Sequence, residues 1–115
     1  MKVLVIGSRN ICDVDLSLYM PSCVDCIISG GAKGVDQLAE RYADEHHIPK
    51  TIVYPQYEQY GRAAPIKRNE VMVDMADYVL AVWDGVSRGT KYTIAYAEKQ
   101  GKPVRVVGMS NPAPW

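Results

Sequence analysis

Two short apolar runs with no polar alternation constrain this chain more than any other feature. They are Val3-Leu4-Val5-Ile6 near its start and Val79-Leu80-Ala81-Val82-Trp83 further on. A strand with one wet face alternates apolar and polar residues. A strand that is apolar throughout is covered on both faces, as in a parallel sheet wrapped by helices. Lys2–Ile6 therefore reads as a first strand, Cys26–Ser29 as a second, Thr51–Tyr54 as a third, Val79–Trp83 as a fourth and Val104–Val107 as a fifth.

The segments between them read mostly as helices. Val35, Leu38, Ala39, Tyr42 and Ala43 recur on one helical face, with Glu40, Arg41, Asp44 and Glu45 on the wet side, and Ile48-Pro49 ends the pattern. Pro65 suits the first turn of a helix running to about Met75, in which Arg68, Met72 and Met75 or Ala76 share one side. Thr90 to Gln100 reads as a helix closed by Gly101 and followed by Pro103. A short helix capped by Asp13 or Asp15 is predicted up to about Met20, ahead of Pro21. Gln56–Ala64 shows no periodicity and carries Tyr57, Tyr60, Gly61 and Arg62, so it reads as a long loop acting as a flap over a site.

Strands alternating with helices imply an α/β fold with right-handed crossovers. The expected architecture is a Rossmann-like three-layer sandwich with a five-stranded parallel sheet in the order 3-2-1-4-5. With 115 residues the chain is long enough for one core. It is read as a single domain over residues 1–109 and a C-terminal tail over residues 110–115.

Charge and cysteine content narrow the function classes. The 13 basic and 13 acidic residues balance, whereas nucleic-acid binders usually carry a basic face, which argues against a nucleic-acid partner. No apolar run approaches the roughly 20 residues needed to cross a bilayer, so no membrane role is expected. The start lacks the length and cleavage site of a signal peptide, and a cytoplasmic location is expected. Three cysteines, Cys12, Cys23 and Cys26, argue against a disulfide framework. Cys23-Val-Asp-Cys26 has CxxC spacing, but no second CxxC completes a zinc set. The plainer explanation is that Cys26 opens a strand and Cys23 sits in a loop, so no metal is expected.

Three loops follow strands and face one edge of the expected sheet. They are Gly7-Ser8-Arg9, Gly30-Gly31-Ala32-Lys33-Gly34-Val35-Asp36 and Asp84-Gly85-Val86-Ser87-Arg88-Gly89-Thr90. In such sheets ligands bind at the carboxyl ends of strands, where the strand order reverses. Glycines let backbone amides approach a ligand, and a helix start favours an anion. Gly7, Ser8, Arg9, Gly30, Gly31, Lys33, Gly34, Asp36, Arg68, Asn69, Asp84, Ser87, Gly89 and Thr90 are the expected ligand-binding residues. Arg9 and Arg68 suit a phosphate, and Asp36 suits ribose hydroxyls. Plainer roles exist for each: tight turns for the glycines, a helix cap for Thr90, helix stabilisation for Asp36, surface pairing for the arginines. Neither a Gly-x-Gly-x-x-Gly nor a Walker A pattern occurs.

At these residues the chain resembles the SLOG superfamily, in particular its small YspA-like, cpYpsA-related branch. The matching segments are Gly7-Ser8-Arg9, Ser29–Asp36, Arg68-Asn69-x-x-Met72, Ala76-Asp77 and Ser87-x-Gly89-Thr90. The second loop is also similar to that of DNA-processing DprA/Smf proteins. Arg68 to Thr90 is similar to the LOG-type phosphoribohydrolases. Gly89–Ala97 is similar to a segment of nucleoside deoxyribosyltransferases. The last two families place a glutamate three residues after the threonine, where this chain has Thr93. An oxocarbenium-like transition state needs a nearby carboxylate, and threonine carries no charge. Asp36, Glu70 and Asp84 are the candidate substitutes.

Three phosphate-suited loops without the glutamate of those enzyme families point to a sensor-type binding domain for a nucleotide or nucleotide-derived ligand, with no required cofactor. The alternatives are a hydrolase or transferase acting on a glycosidic or phosphoester bond and, third, a DNA-processing accessory. A homo-oligomer is expected, with Tyr92 and Tyr96 as one packing face.

Overall fold

A computed structural model describes residues 1–108; the tail expected over residues 110–115 lies outside the described residues. The strands are β1 (Lys2–Gly7), β2 (Cys26–Ser29), β3 (Lys50–Ile52), β4 (Tyr78–Trp83) and β5 (Val104–Gly108). They form an all-parallel sheet in the order β3-β2-β1-β4-β5, as expected. The strand order reverses between β1 and β4, which pair from Val3↔Tyr78 to Gly7↔Val82. The helices are α1 (Val35–Glu45), α2 (Tyr57–Tyr60), α3 (Ala64–Met75) and α4 (Arg88–Lys99).

The apolar runs bury both faces because successive side chains point to opposite sides. Val3, Val5, Leu80 and Val82 pack with Val35, Ala39 and Ala43 of α1. Leu4, Ile6, Val79 and Ala81 pack with Met72 and Val73 of α3 and Ile94 and Ala97 of α4. The result is three layers, with the sheet in the middle. On the stripe shared with Arg68 and Met72, Ala76 is buried and Met75 is 37% exposed.

Four local expectations are corrected. The helix expected up to Met20 is a single 3-10 turn, Leu16–Leu18, capped by Asp15, whose Oδ1 accepts the Ser17 amide at 3.1 Å. Between that cap and Pro21 there are too few residues to offset helix nucleation. The third strand is Lys50–Ile52 rather than Thr51–Tyr54. Its ladder still reaches the Val53 amide, which donates to Ser29 O at 2.9 Å, before Pro55 removes the next donor in reach.

Gln56–Ala64 is not an irregular loop: it holds α2 and a 3-10 turn, Gly61–Ala63. The Gln56 carbonyl accepts the Gln59 and Tyr60 amides, and Gly61 at φ +56° ends the turn. Finally, α4 begins at Arg88 rather than at Thr90. Cys26 opens β2 and Cys23 lies in the preceding loop, as expected. Among the described residues no helix is long and apolar enough to cross a membrane.

Candidate functional site

At the carboxyl edge of the sheet, the loops after β1, β2 and β4 meet around a cleft of ≈ 330 Å³. The β1 loop contributes Gly7, Ser8, Arg9 and Asn10, and the β2 loop leads to Ala32 and Asp36. The start of α4 contributes Ser87, Gly89 and Thr90. The first turns of α3 close the fourth side with Pro65, Ile66, Arg68 and Asn69, over a floor of Ile6 and Met72.

The loops are locked together before any ligand arrives. Ser8 is buried; its amide donates to Val82 O at 3.1 Å and its hydroxyl accepts the Asp84 amide at 3.1 Å. Gly34 has φ +78°, and a Cβ there would lie 2.5 Å from Arg9 O and 2.7 Å from Ser8 O. Glycine is thus required for the second loop to lie against the first.

Asp84 organises the third loop. Its Oδ1 accepts the amides of Val86 at 2.9 Å and Ser87 at 2.8 Å, and its Oδ2 accepts the Ser87 hydroxyl at 3.0 Å. The Ser87 and Val86 amides hold this carboxyl well below the usual carboxylate range. Ser87, the N-cap residue, makes no side-chain cap on α4. The cap role considered for Thr90 is overturned: Thr90 sits inside the first turn, 7% exposed. The α4 amides begin their helical bonding at Lys91, which donates to Ser87 O at 3.1 Å. Ahead of it, at the positive end of the helix dipole, Ser87, Gly89 and Thr90 border the cleft.

Arg68 is the buried cation of the site, only 8% exposed. Its Nε donates to Asn69 Oδ1 at 2.8 Å and its Nη1 to the Gly30 carbonyl. Asn69 Nδ2 donates to Thr93 Oγ1 at 2.8 Å, and Thr93 Oγ1 donates to Gly89 O at 2.8 Å. Thr93, 1% exposed, is thus a link between α4 and the arginine rather than a group facing the cleft. Among the described residues Nη2 of Arg68 has no protein partner. Burial lowers the guanidinium pKa from its ordinary value, and Asp36 partly opposes that.

Asp36 faces Arg68 across Gly30. A Cβ at Gly30 would stand 2.7 Å from Arg68 Nη1 and 2.9 Å from Asp36 Oδ2, so glycine lets both charges close in. Asp36 Oδ2 accepts the Ala32 amide at 3.1 Å. Burial raises the Asp36 pKa above the ordinary carboxylate value; the Ala32 amide and Arg68 pull the other way.

The expected residues thus separate by place. Gly7, Ser8, Arg9, Asp36, Arg68, Asn69, Ser87, Gly89 and Thr90 line the cleft. Gly30, Gly31 and Lys33 line an adjoining hollow. Gly34 and Asp84 line neither and act within their loops. Glu70, a candidate carboxylate, accepts the Tyr92 hydroxyl and lines a different hollow beside Tyr60 and Tyr96. Tyr92 and Tyr96 tie α4 to α3, the second through its hydroxyl to Asp74 Oδ1 at 2.9 Å. Asn10, Ala32, Pro65 and Ile66 were not among the expected site residues. Asn10 adjoins Gly7-Ser8-Arg9, and Pro65 marks a helix start at the same sheet edge, so both carried a signal.

Over 84 residues the chain is 33% identical to the "Gene 61 protein" of Mycobacterium phage D29, covering 68% of this chain and 67% of that protein. The chain belongs to the same family as that phage protein. No family model matches it, and no solved structure matches it.

Proposed function

We propose that this protein is a sensor-type binding domain for a nucleotide or nucleotide-derived ligand, with a phosphate held where the three loops meet. One observation carries it: the unpartnered edge of Arg68 and the first turn of α4, bare at Gly89, border the same cleft. A planar guanidinium and converging amides suit a tetrahedral oxyanion. Gly89 strengthens the case. Its φ is not positive, and a Cβ there would meet nothing within 4 Å, so neither backbone nor packing demands glycine. A helical glycine costs up to about 1 kcal/mol relative to alanine, and an open approach to the amides is a reason to keep it.

The apolar floor and the half of Asp36 that the Ala32 amide leaves free suit the sugar side of such a ligand. The reading agrees with the resemblance to the SLOG superfamily, and we extend it to a cytoplasmic homo-oligomer. Calorimetry against nucleoside mono- and diphosphates and nucleotide sugars tests it. Binding tighter than about 1 mM is expected for at least one of them, and none across the panel would sink the proposal.

A second reading, a hydrolase or transferase acting on the glycosidic or phosphoester bond, is favoured by Asp36. It is the one of the three candidate carboxylates that borders the cleft, and its raised pKa suits proton transfer. Chromatographic assay of base and phosphate release from nucleoside monophosphates, with and without Asp36→Asn, separates it from simple binding.

A further inference from the structure

Beside the cleft lies a second hollow of ≈ 350 Å³, which the phosphate site above does not use. Lys33 and Gly31 of the second loop form one wall, and Tyr54 and Tyr57 form another. Arg9, Ala32 and Arg68 border both spaces, so the two adjoin.

Resting on the proposed phosphate site, we propose that this hollow is a second subsite for the same ligand, which is then a pyrophosphate-linked nucleotide. One phosphate lies between Arg68 and the start of α4. The second lies in the hollow between Arg9 and Lys33, and a flat ring covers Tyr54 and Tyr57.

Three features support this assignment. The first is charge: the residues lining the hollow include Arg9, Lys33 and Arg68 and no carboxylate. A single phosphate in the cleft does not reach the wall that carries Lys33, whereas a second phosphate in the hollow meets Lys33 together with Arg9. The second is aromatic surface. Tyr54 is 62% exposed and Tyr57 is 58% exposed at the rim. Tyr54 is also seated, since a Cβ at Gly31 would stand 2.9 Å from its Cε1. A ring resting on glycine backbone offers a fixed platform, and stacking of a base on such a platform contributes about 1–3 kcal/mol. The third is size: two adjoining spaces of ≈ 330 and ≈ 350 Å³ together suit a ligand larger than a mononucleotide.

The test compares AMP, GMP, CMP and UMP with ADP, GDP, CDP and UDP by calorimetry on the full chain. In at least one matched pair the diphosphate is expected to bind about tenfold or more tightly than the monophosphate. In Lys33→Ala that ratio is expected to fall toward one; Tyr54→Ala/Tyr57→Ala is expected to leave it unchanged and to weaken instead a dinucleoside diphosphate, which carries a second ring beyond the phosphates. Monophosphates binding as tightly as every diphosphate overturn the second subsite and leave the proposed function standing. A diphosphate advantage that survives Lys33→Ala, or a dinucleoside diphosphate that Tyr54→Ala/Tyr57→Ala leaves unweakened, overturns the placement in this hollow. Absence of binding by all eight, and by nucleotide sugars in the same assay, overturns the proposed function itself and the second subsite with it.

Discussion

Asn69 and Thr93 are joined by a 2.8 Å hydrogen bond from Nδ2 to Oγ1, which couples the arginine-bearing helix α3 to the first turn of α4. Asn69 in turn holds Arg68 Nε, and Thr93 donates to Gly89 O. Thr93→Val keeps the shape and removes the hydroxyl, leaving the Asn69 amide and the Gly89 carbonyl without this partner. A loss of about 1–3 kcal/mol in urea unfolding is expected, together with weaker binding of phosphate-bearing ligands. Thr93→Ser is expected to recover most of both.

Arg68 provides the fork, so charge alone does not replace it. Arg68→Lys is expected to weaken binding of a phosphate-bearing ligand about 10-fold or more, because an ammonium cannot bond Asn69, the Gly30 carbonyl and an oxyanion in one plane. Calorimetry on wild type and variant reads this directly. Equal affinity would remove Arg68 from the site.

The two loop glycines Gly34 and Gly89 are expected to respond in opposite ways. Gly34→Ala places a Cβ against the Arg9 carbonyl at positive φ, and a loss of about 2 kcal/mol or more is expected. Gly89→Ala meets open space, and a gain of up to about 1 kcal/mol is expected alongside weaker ligand binding. Thermal unfolding and calorimetry on the same two variants separate a folding role from a binding role.

Asp36 sets a pH dependence. Its folded-state pKa lies above the unfolded value of about 3.9, so the folded state holds more protons between the two. Its contribution to stability is therefore fully present below about pH 3.9 and is lost as pH rises through the folded value. An anion beside Asp36 obeys the same sign: affinity falls as the carboxylate ionises. Sulfate, whose charge is constant over this range, is the probe. Its affinity is expected to fall with rising pH in wild type and to stay flatter in Asp36→Asn.

Asp84 titrates the other way. Its pKa is depressed by the Ser87 and Val86 amides, so its stabilisation is present above about pH 3.9 and disappears as pH falls through the lower folded value. Asp84→Asn is expected to flatten the acid limb of the unfolding curve.

The sheet was legible because its evidence is repeated. Five strand-like runs, two of them apolar throughout, and three intervening helical patterns leave few right-handed arrangements, and the order with β1 at its centre is one of them. The convergence of Arg9, Asp36, Arg68 and Gly89 followed from that order. What was not legible depends on short-range competition. The Ser87 hydroxyl donates to Asp84 and accepts no amide of α4, a pairing that no periodicity records. Glu70 and Asp36 look alike in sequence, but one is claimed by Tyr92 and the other faces Arg68 across Gly30. The turn at Leu16–Leu18 and the helix at Tyr57–Tyr60 are shorter than the windows in which a helical period can be seen.

The backward tether of Ser87 to Asp84 has a thermodynamic corollary. A helix whose opening amides receive no side chain of their own leaves part of its hydrogen bonding to an incoming guest. Whatever binds there adds to folding free energy by mass action, so the melting temperature becomes a gauge of guest concentration.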